Sequence, residues 1–296
     1  MRYGIPYKGS KNRIAKWVVD SLPASDTLVD LFAGGCAVTH AAILSNKWQR
    51  VIANDLLPGP NVFQDATRGR FNGADMVTTR EQFFESSDFA TRLIYSFGNN
   101  TIDYVYSRDI ERVKLAAEMM IVAKTPRQRR LLYRKFIAEL ESYLHDGCIN
   151  KNTRNLQWLE GLERLERLQW LEGLERLERL QGLEGLEGLE RFEVSNLDYR
   201  DVTIPSGATV YADPPYRGTQ QSQYGGTFDH EQFDAWLASV DFPVYVSEYT
   251  CPSGCVEVAR TKRMCSAAAS GKKETTERLF VQERFANVVS GGGDDD

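Results

Sequence analysis

The chain has 296 residues, 42% of them hydrophobic and 26% charged, with a formal net charge of −5. This is the composition of a globular chain able to bury a full core, and it excludes collagen-like and disordered classes. No run of eighteen apolar residues occurs, and Met1-Arg2-Tyr3-Gly4-Ile5-Pro6 lacks the parts of a signal peptide, so the expected location is the cytoplasm.

In chain order, the first expected element is a helix over Ser10 to Leu22, with Ile14, Trp17, Val18 and Leu22 on one side and Pro23 closing it. Before it lies a basic loop, Pro6-Tyr7-Lys8-Gly9-Ser10-Lys11. Thr27 to Phe32 then reads as a short apolar strand running into Gly34-Gly35, and Ala37 to Leu44 as a helix. Val51 to Asp55 is a second strand ending on an acid. Strand, glycine turn, helix and strand make a βαβ unit, which implies a parallel, doubly wound sheet.

From about Leu93 to Asn155 the pattern changes to basic helix. Arg108, Arg112, Lys114, Arg127, Arg129, Arg130 and Arg134 are interleaved with Tyr104, Tyr106 and Tyr133. Such a run is compatible with an ordinary solvated helix face and with a nucleic-acid contact.

Residues 156–192 repeat a twelve-residue unit that begins at Leu156 and Leu168, with a glycine-rich copy from Leu180. Leucine recurs every third position, so on a helix the stripe slips by about 60° at each step and cannot keep facing one partner. A broken helical hairpin and a small solenoid of short turns both fit. Residues 156–193 also carry ten Glu against five Arg. Outside them and the Asp294-Asp295-Asp296 end, 31 bases face 28 acids, a mildly basic remainder.

After the repeat, Phe192 to Asn196, Ala208 to Ala212 and Pro243 to Ser247 read as strands, Phe228 to Val240 as an amphipathic helix, and the surroundings of Arg278 to Gln282 as the last strands. The five cysteines, Cys36, Cys148, Cys251, Cys255 and Cys265, offer one close pair and no second half of a zinc site, so free thiols and no metal are expected.

Three groups of residues carry chemistry. Asp213-Pro214-Pro215-Tyr216 follows a central strand, at the edge where open α/β sheets place their sites. Two prolines hold the backbone rigid. The Asp213 carboxylate and the Pro214 carbonyl can accept hydrogen bonds from an amino group, freeing its lone pair, and Tyr216 offers a flat surface for an extruded base. In Asp30-Leu31-Phe32-Ala33-Gly34-Gly35-Cys36, the glycines let backbone approach a nucleoside-like cofactor. Asp55 is placed either to accept from ribose hydroxyls or to cap the following segment. Lys11 can meet a carboxylate, and Tyr7 can pack on apolar parts of a ligand.

Together these resemble the Dam-type DNA adenine-N6 methyltransferases, including phage-borne members, over most of residues 3–285 apart from the repeat. The order (lysine loop, glycine turn, variable region, Asp-Pro-Pro-Tyr) is the alpha arrangement of the amino-methyltransferases. The resemblance implies a Rossmann-like α/β fold dependent on S-adenosyl-L-methionine, with an inserted helical target-recognition region, acting on double-stranded DNA. Cofactor contacts would come from Tyr7, Lys11, Asp30, Phe32, Gly34, Gly35, Asp55, Asp198, Tyr199 and Asp213, and catalysis from Asp213, Pro214, Pro215 and Tyr216. DNA contacts would come from Asn99, Asn100, Tyr104, Arg108, Arg127 and Arg130. Val246 to Tyr249 and Thr276 to Val281 also resemble phage members.

The expected organisation is a catalytic domain over 1–94 and 194–290, target recognition over 95–155, the repeat insertion over 156–193 and a disordered tail over 291–296. The setting implied is a bacterial or phage-infected cell, with or without a paired restriction enzyme. Two departures stand out: Cys36 where the family commonly has glycine, and the repeat. They keep open an impaired binding scaffold, beside a cytosine-N4 enzyme, which usually has Ser in place of Asp213.

Overall fold

The computed structural model describes residues 2–71, 77–145, 172–218, 228–265 and 273–286. In chain order it contains α1 (Ala15–Ser21), β1 (Thr27–Asp30), α2 (Ala37–Ser45), β2 (Arg50–Asn54), α3 (Gly59–Thr67), α4 (Arg80–Glu85) and α5 (Phe89–Ile94). Then follow α6 (Glu111–Ile121), α7 (Pro126–His145), α8 (Glu172–Gln181), β3 (Phe192–Ser195), β4 (Thr209–Ala212), α9 (His230–Ser239), β5 (Val244–Glu248), β6 (Cys255–Cys265) and β7 (Lys273–Gln282).

The strands form one seven-stranded sheet in the order β3-β2-β1-β4-β5-β7-β6. The first five run parallel, and β7 lies antiparallel between β5 and β6. This mixed α/β sheet is consistent with a Rossmann-like methyltransferase. The chain order reverses at β1, whose neighbours are β2 and β4, and such a switch point opens a crevice beyond the carboxyl ends of the strands. β1, β4 and β5 are buried throughout, as Val- and Leu-rich strands covered on both faces must be. On one face Val29, Val210, Val244 and Val246 pack with Phe233 and Leu237 of α9.

The chain forms two compact units. The first contains Met1–Ile5, Gly9–Gln64 and Gly185–Asp296, and therefore the whole sheet; the second contains Pro6–Lys8 and Asp65–Glu184. In the second unit, α6 and α7 pack through Val113, Ala116, Ala117 and Phe136. Pro126 opens α7, where a missing N–H costs nothing, and Thr125 and Gln128 cap its start reciprocally.

Two elements differ from the sequence expectation at their ends. The first helix starts at Ala15 rather than Ser10, because residues 11–14 form a turn closed by Ile14 N–H on the Lys11 carbonyl at 2.9 Å. The strand expected to reach Phe32 stops at Asp30, where the chain leaves the sheet for the glycine turn. Residues 156–171 of the repeat, Cys148 and the 291–296 tail lie outside the described residues. The described part of the repeat begins with helix α8, which ends at Gln181; turns follow, in which Gly185 and Gly188 adopt left-handed φ of 73° and 85° before β3. Ten residues are short enough for a three-residue stripe to stay inward, and Leu177 and Leu180 are both buried. Arg176 of α8 donates to the carbonyls of Ile94 and Ser96 at 2.7 and 2.6 Å, satisfying acceptors at the C-terminal end of α5.

Candidate active site at the strand ends

Beyond β1 the chain turns through Gly34 and Cys36, with φ of 49° and 57°, into α2. Glycine adopts this left-handed region freely, whereas cysteine pays roughly 1–2 kcal/mol for it. The Cys36 side chain is fully buried and is absent from the wall of the crevice described below, so it bears on the backbone of the turn rather than on a ligand. The N-terminal segment lies directly on this turn. Ile5 N–H donates to the Gly35 carbonyl at 2.8 Å and Gly4 N–H to His40 Nδ1 at 3.0 Å. A methyl group on Gly4 would come within 2.3 Å of the Gly35 oxygen, so only glycine fits.

Lys11 follows from that anchored segment. Its ammonium lies 2.8 Å from Asp213 Oδ1 and 4.2 Å from the centre of the Tyr216 ring. Expected to meet a ligand carboxylate, Lys11 thus has a carboxylate within the protein. Burial pushes the Asp213 carboxyl above its ordinary value, and the adjacent ammonium opposes that shift. Tyr216 is buried; its hydroxyl donates to Glu277 Oε2 at 3.1 Å, and Tyr249 meets its ring edge-on at 4.5 Å. The next residue is fixed as well: Arg217 N–H donates to Glu248 Oε2 at 3.2 Å, and its guanidinium forks onto Asp234.

At the end of β2, Asp55 accepts from Gly34 N–H through Oδ2 and from Leu57 N–H through Oδ1, both at 2.8 Å. It therefore braces the glycine turn and caps the next segment, and each oxygen keeps a lone pair. Burial raises it to about 6 against those two hydrogen bonds. Asp30, also buried, accepts from the Thr39 hydroxyl at 2.7 Å and is raised by burial to about 7.

These strand ends line a cavity of about 280 Å³. Phe32, Asn54, Asp55, Leu197, Asp198, Tyr199, Pro215 and Phe228 are among its walls. Pro215 of the tetrapeptide and Phe32 of the glycine turn thus share one crevice. Its floor is aromatic, with Phe32 centred 5.4 Å from Tyr199 and 5.8 Å from Phe228. The Tyr199 hydroxyl is buried without a hydrogen-bond partner among the described residues, an unmet polar group that a bound ligand would satisfy. Asp198 forks onto its own neighbour Arg200, at 2.7 and 2.9 Å, and is held below its ordinary value by that pair.

Three side chains around the site have no role assigned from the sequence, although Glu248 and Glu277 lie within segments noted there for their resemblance. Asn54 uses its whole amide: it donates to the Leu31 and Leu197 carbonyls and accepts from Leu197 N–H and the Ser195 hydroxyl, tying β1, β2 and β3 together under the cavity. Glu248 and Glu277 stand behind the tetrapeptide. Asn54 and Glu248 each close a largely apolar strand, a local signal that could have found them, whereas Glu277 lies in the polar half of β7 and carries no such signal.

The remaining expected residues lie in the second unit. Tyr7 is buried there. Asn99 has φ of 57° and donates to the Leu93 carbonyl, while Asn100 closes its loop by accepting from Ile102 and Asp103 N–H. Tyr104 is buried, with its hydroxyl on the Thr78 carbonyl at 2.7 Å and the Arg80 guanidinium over its ring. Arg108, Arg127 and Arg130 are exposed. Tyr104 and Arg108 line a broad depression of about 540 Å³ with Phe97 and Lys114. Among the described residues, no three His, Cys, Asp or Glu side chains converge as a metal-ligand set, and no helix is long and apolar enough to cross a membrane.

Comparison with known proteins adds to this geometry. Residues 7–135 match the family model "D12 class N6 adenine-specific DNA methyltransferase". The matched segment is similar to that class over less than half of the chain. It takes in the glycine turn, Asp55 and the basic helices, and stops short of the tetrapeptide. Among curated proteins, the chain is 39% identical over 54 residues to "Type II methyltransferase M2.HphI" of Haemophilus parahaemolyticus. That alignment covers 18% of this chain and 16% of the relative, so the chain spans about a sixth of the length of the protein it matches.

Proposed function

We propose that the protein transfers a methyl group from S-adenosyl-L-methionine to the N6 amino group of adenine in double-stranded DNA. The observation that carries the reading is the crevice in which Pro215 of the tetrapeptide faces Phe32 and Asp55 of the D12-class segment. The residues present suit the cofactor. Phe32, Leu197 and Phe228 would take an adenine, the free lone pairs of Asp55 the ribose hydroxyls, and the unmet Tyr199 hydroxyl a polar edge. When bound, the cofactor supplies an electrophilic methyl on a positively charged sulfur.

The chain's own groups supply acceptance and alignment. An adenine turned out of the duplex would lie on Tyr216, its amino group donating to Asp213 and to the Pro214 carbonyl. Those bonds pull the nitrogen lone pair out of ring conjugation and aim it. Asp213 would take up the proton that the amino group gives up once it carries the methyl group. Lys11 favours the ionised form of that carboxylate against the opposing effect of burial. Charge on Arg108, Arg127 and Arg130 would hold the phosphate backbone.

The test is direct: unmethylated DNA is incubated with the protein and isotopically labelled cofactor, digested to nucleosides and analysed by mass spectrometry. N6-methyladenine is the expected product. Label in N4-methylcytosine would move the protein to the cytosine class, and no label at all, together with no binding heat for the cofactor, would leave a scaffold.

A further inference from the structure

Glu277 has no part in the chemistry above, yet it is buried beside it. It lies on β7, in register with Thr261 of β6, with 1% of its surface exposed. A carboxylate at such a position is costly unless it accepts hydrogen bonds, and one donor it faces is the hydroxyl of Tyr216 at 3.1 Å. We propose that Glu277 is a positioning residue that fixes the tilt of the Tyr216 ring, the surface on which the extruded base is received. The inference rests on the methyltransferase reading of the same site.

A tyrosine ring has two freedoms, a swing about χ1 and a spin about its own axis. Two contacts restrain the spin: the Lys11 ammonium over one face and the edge-on ring of Tyr249, at an interplanar angle of 83°. Neither holds the far end of the ring. The hydroxyl bond to Glu277 does, stopping the swing at its longest lever. At the other end the backbone is gripped where Arg217 N–H meets Glu248, so the side chain is held at both ends by carboxylates from β5 and β7. A stacking surface displaced by about 1 Å misplaces the amino nitrogen relative to the methyl carbon, and misplacements of that size cost on the order of 10²-fold in rate.

The experiment measures methyl transfer to unmethylated plasmid DNA by the full chain, with kcat and the cofactor KM taken separately and each variant checked by thermal melting. Glu277→Ala is expected to lower kcat by about 10- to 100-fold with the cofactor KM changed less than about threefold. Glu277→Gln keeps an acceptor oxygen and should recover kcat to within about threefold of wild type. Tyr216→Phe, which keeps the ring and removes the hydroxyl with its bonds to Glu277 and to Asp213, should lose at least as much, and adding Glu277→Ala to it should cost little more. If Glu277→Ala does not fold, Tyr216→Phe and Glu277→Gln carry the test without it. Equal activity of Tyr216→Phe and wild type overturns the proposal, as does a Glu277 effect that persists undiminished in the Phe background. A wild-type protein that methylates no DNA would instead remove the functional reading, and this inference with it.

Discussion

The two compact units use charge in opposite ways. At the strand ends of the first, Asp30, Asp55, Asp213, Glu248 and Glu277 are buried or nearly so, each held by a named donor, and the titration of the first four is shifted by burial. In the second unit Arg108, Arg127 and Arg130 stand in solvent on and before α7. The first arrangement is pre-organised: its polar groups are already oriented, at a cost met by the surrounding sheet. The second keeps its cations hydrated and adaptable, which under the proposed function would let the surface follow a phosphate backbone. Damage to the first should therefore be large and specific, damage to the second graded and salt-dependent.

The sharpest way to break this contrast is Asp213→Ala. It should abolish methyl transfer, by a factor on the order of 10³ or more, while the variant still folds and melts cooperatively, at a lower temperature because the Lys11 ammonium loses its partner. Wild-type activity in that variant would end the proposed mechanism. Next comes Lys11→Met. Without the ammonium, Asp213 takes up a proton more readily, so activity is lost at a higher pH as the solution is acidified, and the acidic limb of the rate profile should move upward. An unmoved limb would show that Lys11 does not tune the carboxyl.

Stability gives two further tests. Cys36→Val should cost about 2–3 kcal/mol, because a β-branched residue is strained at φ of 57°. Cys36→Gly should be close to neutral, backbone relief offsetting the lost buried sulfur. Equal melting temperatures for Val and Gly would deny the left-handed turn. Asp30 and Asp55 have folded-state values near 7 and 6, above those of an unfolded chain, so the folded state binds more protons in that window. Their contribution to stability is fully present below the unfolded values and is lost as pH rises through 6 and 7. The unliganded protein should thus melt at a higher temperature at pH 6 than at pH 8, and Asp30→Asn should flatten the difference. The smallest effect belongs to the second unit: Arg127→Ala and Arg130→Ala should each weaken DNA binding a few-fold, lowering the salt slope by about 0.9 for each phosphate contact removed. Loss of all binding from either change would show a pre-organised contact there too.

Much of the first unit was legible because its signals are local. Continuous apolar runs gave β1, β2, β4 and β5, and the glycine pair and the paired prolines marked the turns that leave them. The requirement for φ > 0 at Cys36 was open to inspection for the same reason, since glycine is the usual solution at such a turn. What stayed hidden was long-range. Nothing near Glu277 in sequence says that it will meet Tyr216, and Asn54 gains its meaning only when Ser195 and Leu197 arrive beside it. Short amphipathic helices such as α4 and α5 escaped because six residues hold too little periodicity to register, although Thr79 and Gln82 form a full capping box. In the repeat, the three-residue stripe excludes one long helix but not a ten-residue one, which is what α8 is.

The ion pair between Lys11 and Asp213 joins positions about two hundred residues apart, and Glu277 enters from still further along the chain. In chain order the lysine is made long before either carboxylate that stands near it in the folded site. A chain interrupted before Asp213 therefore holds Lys11 and the glycine turn without the carboxylate that pairs with that ammonium.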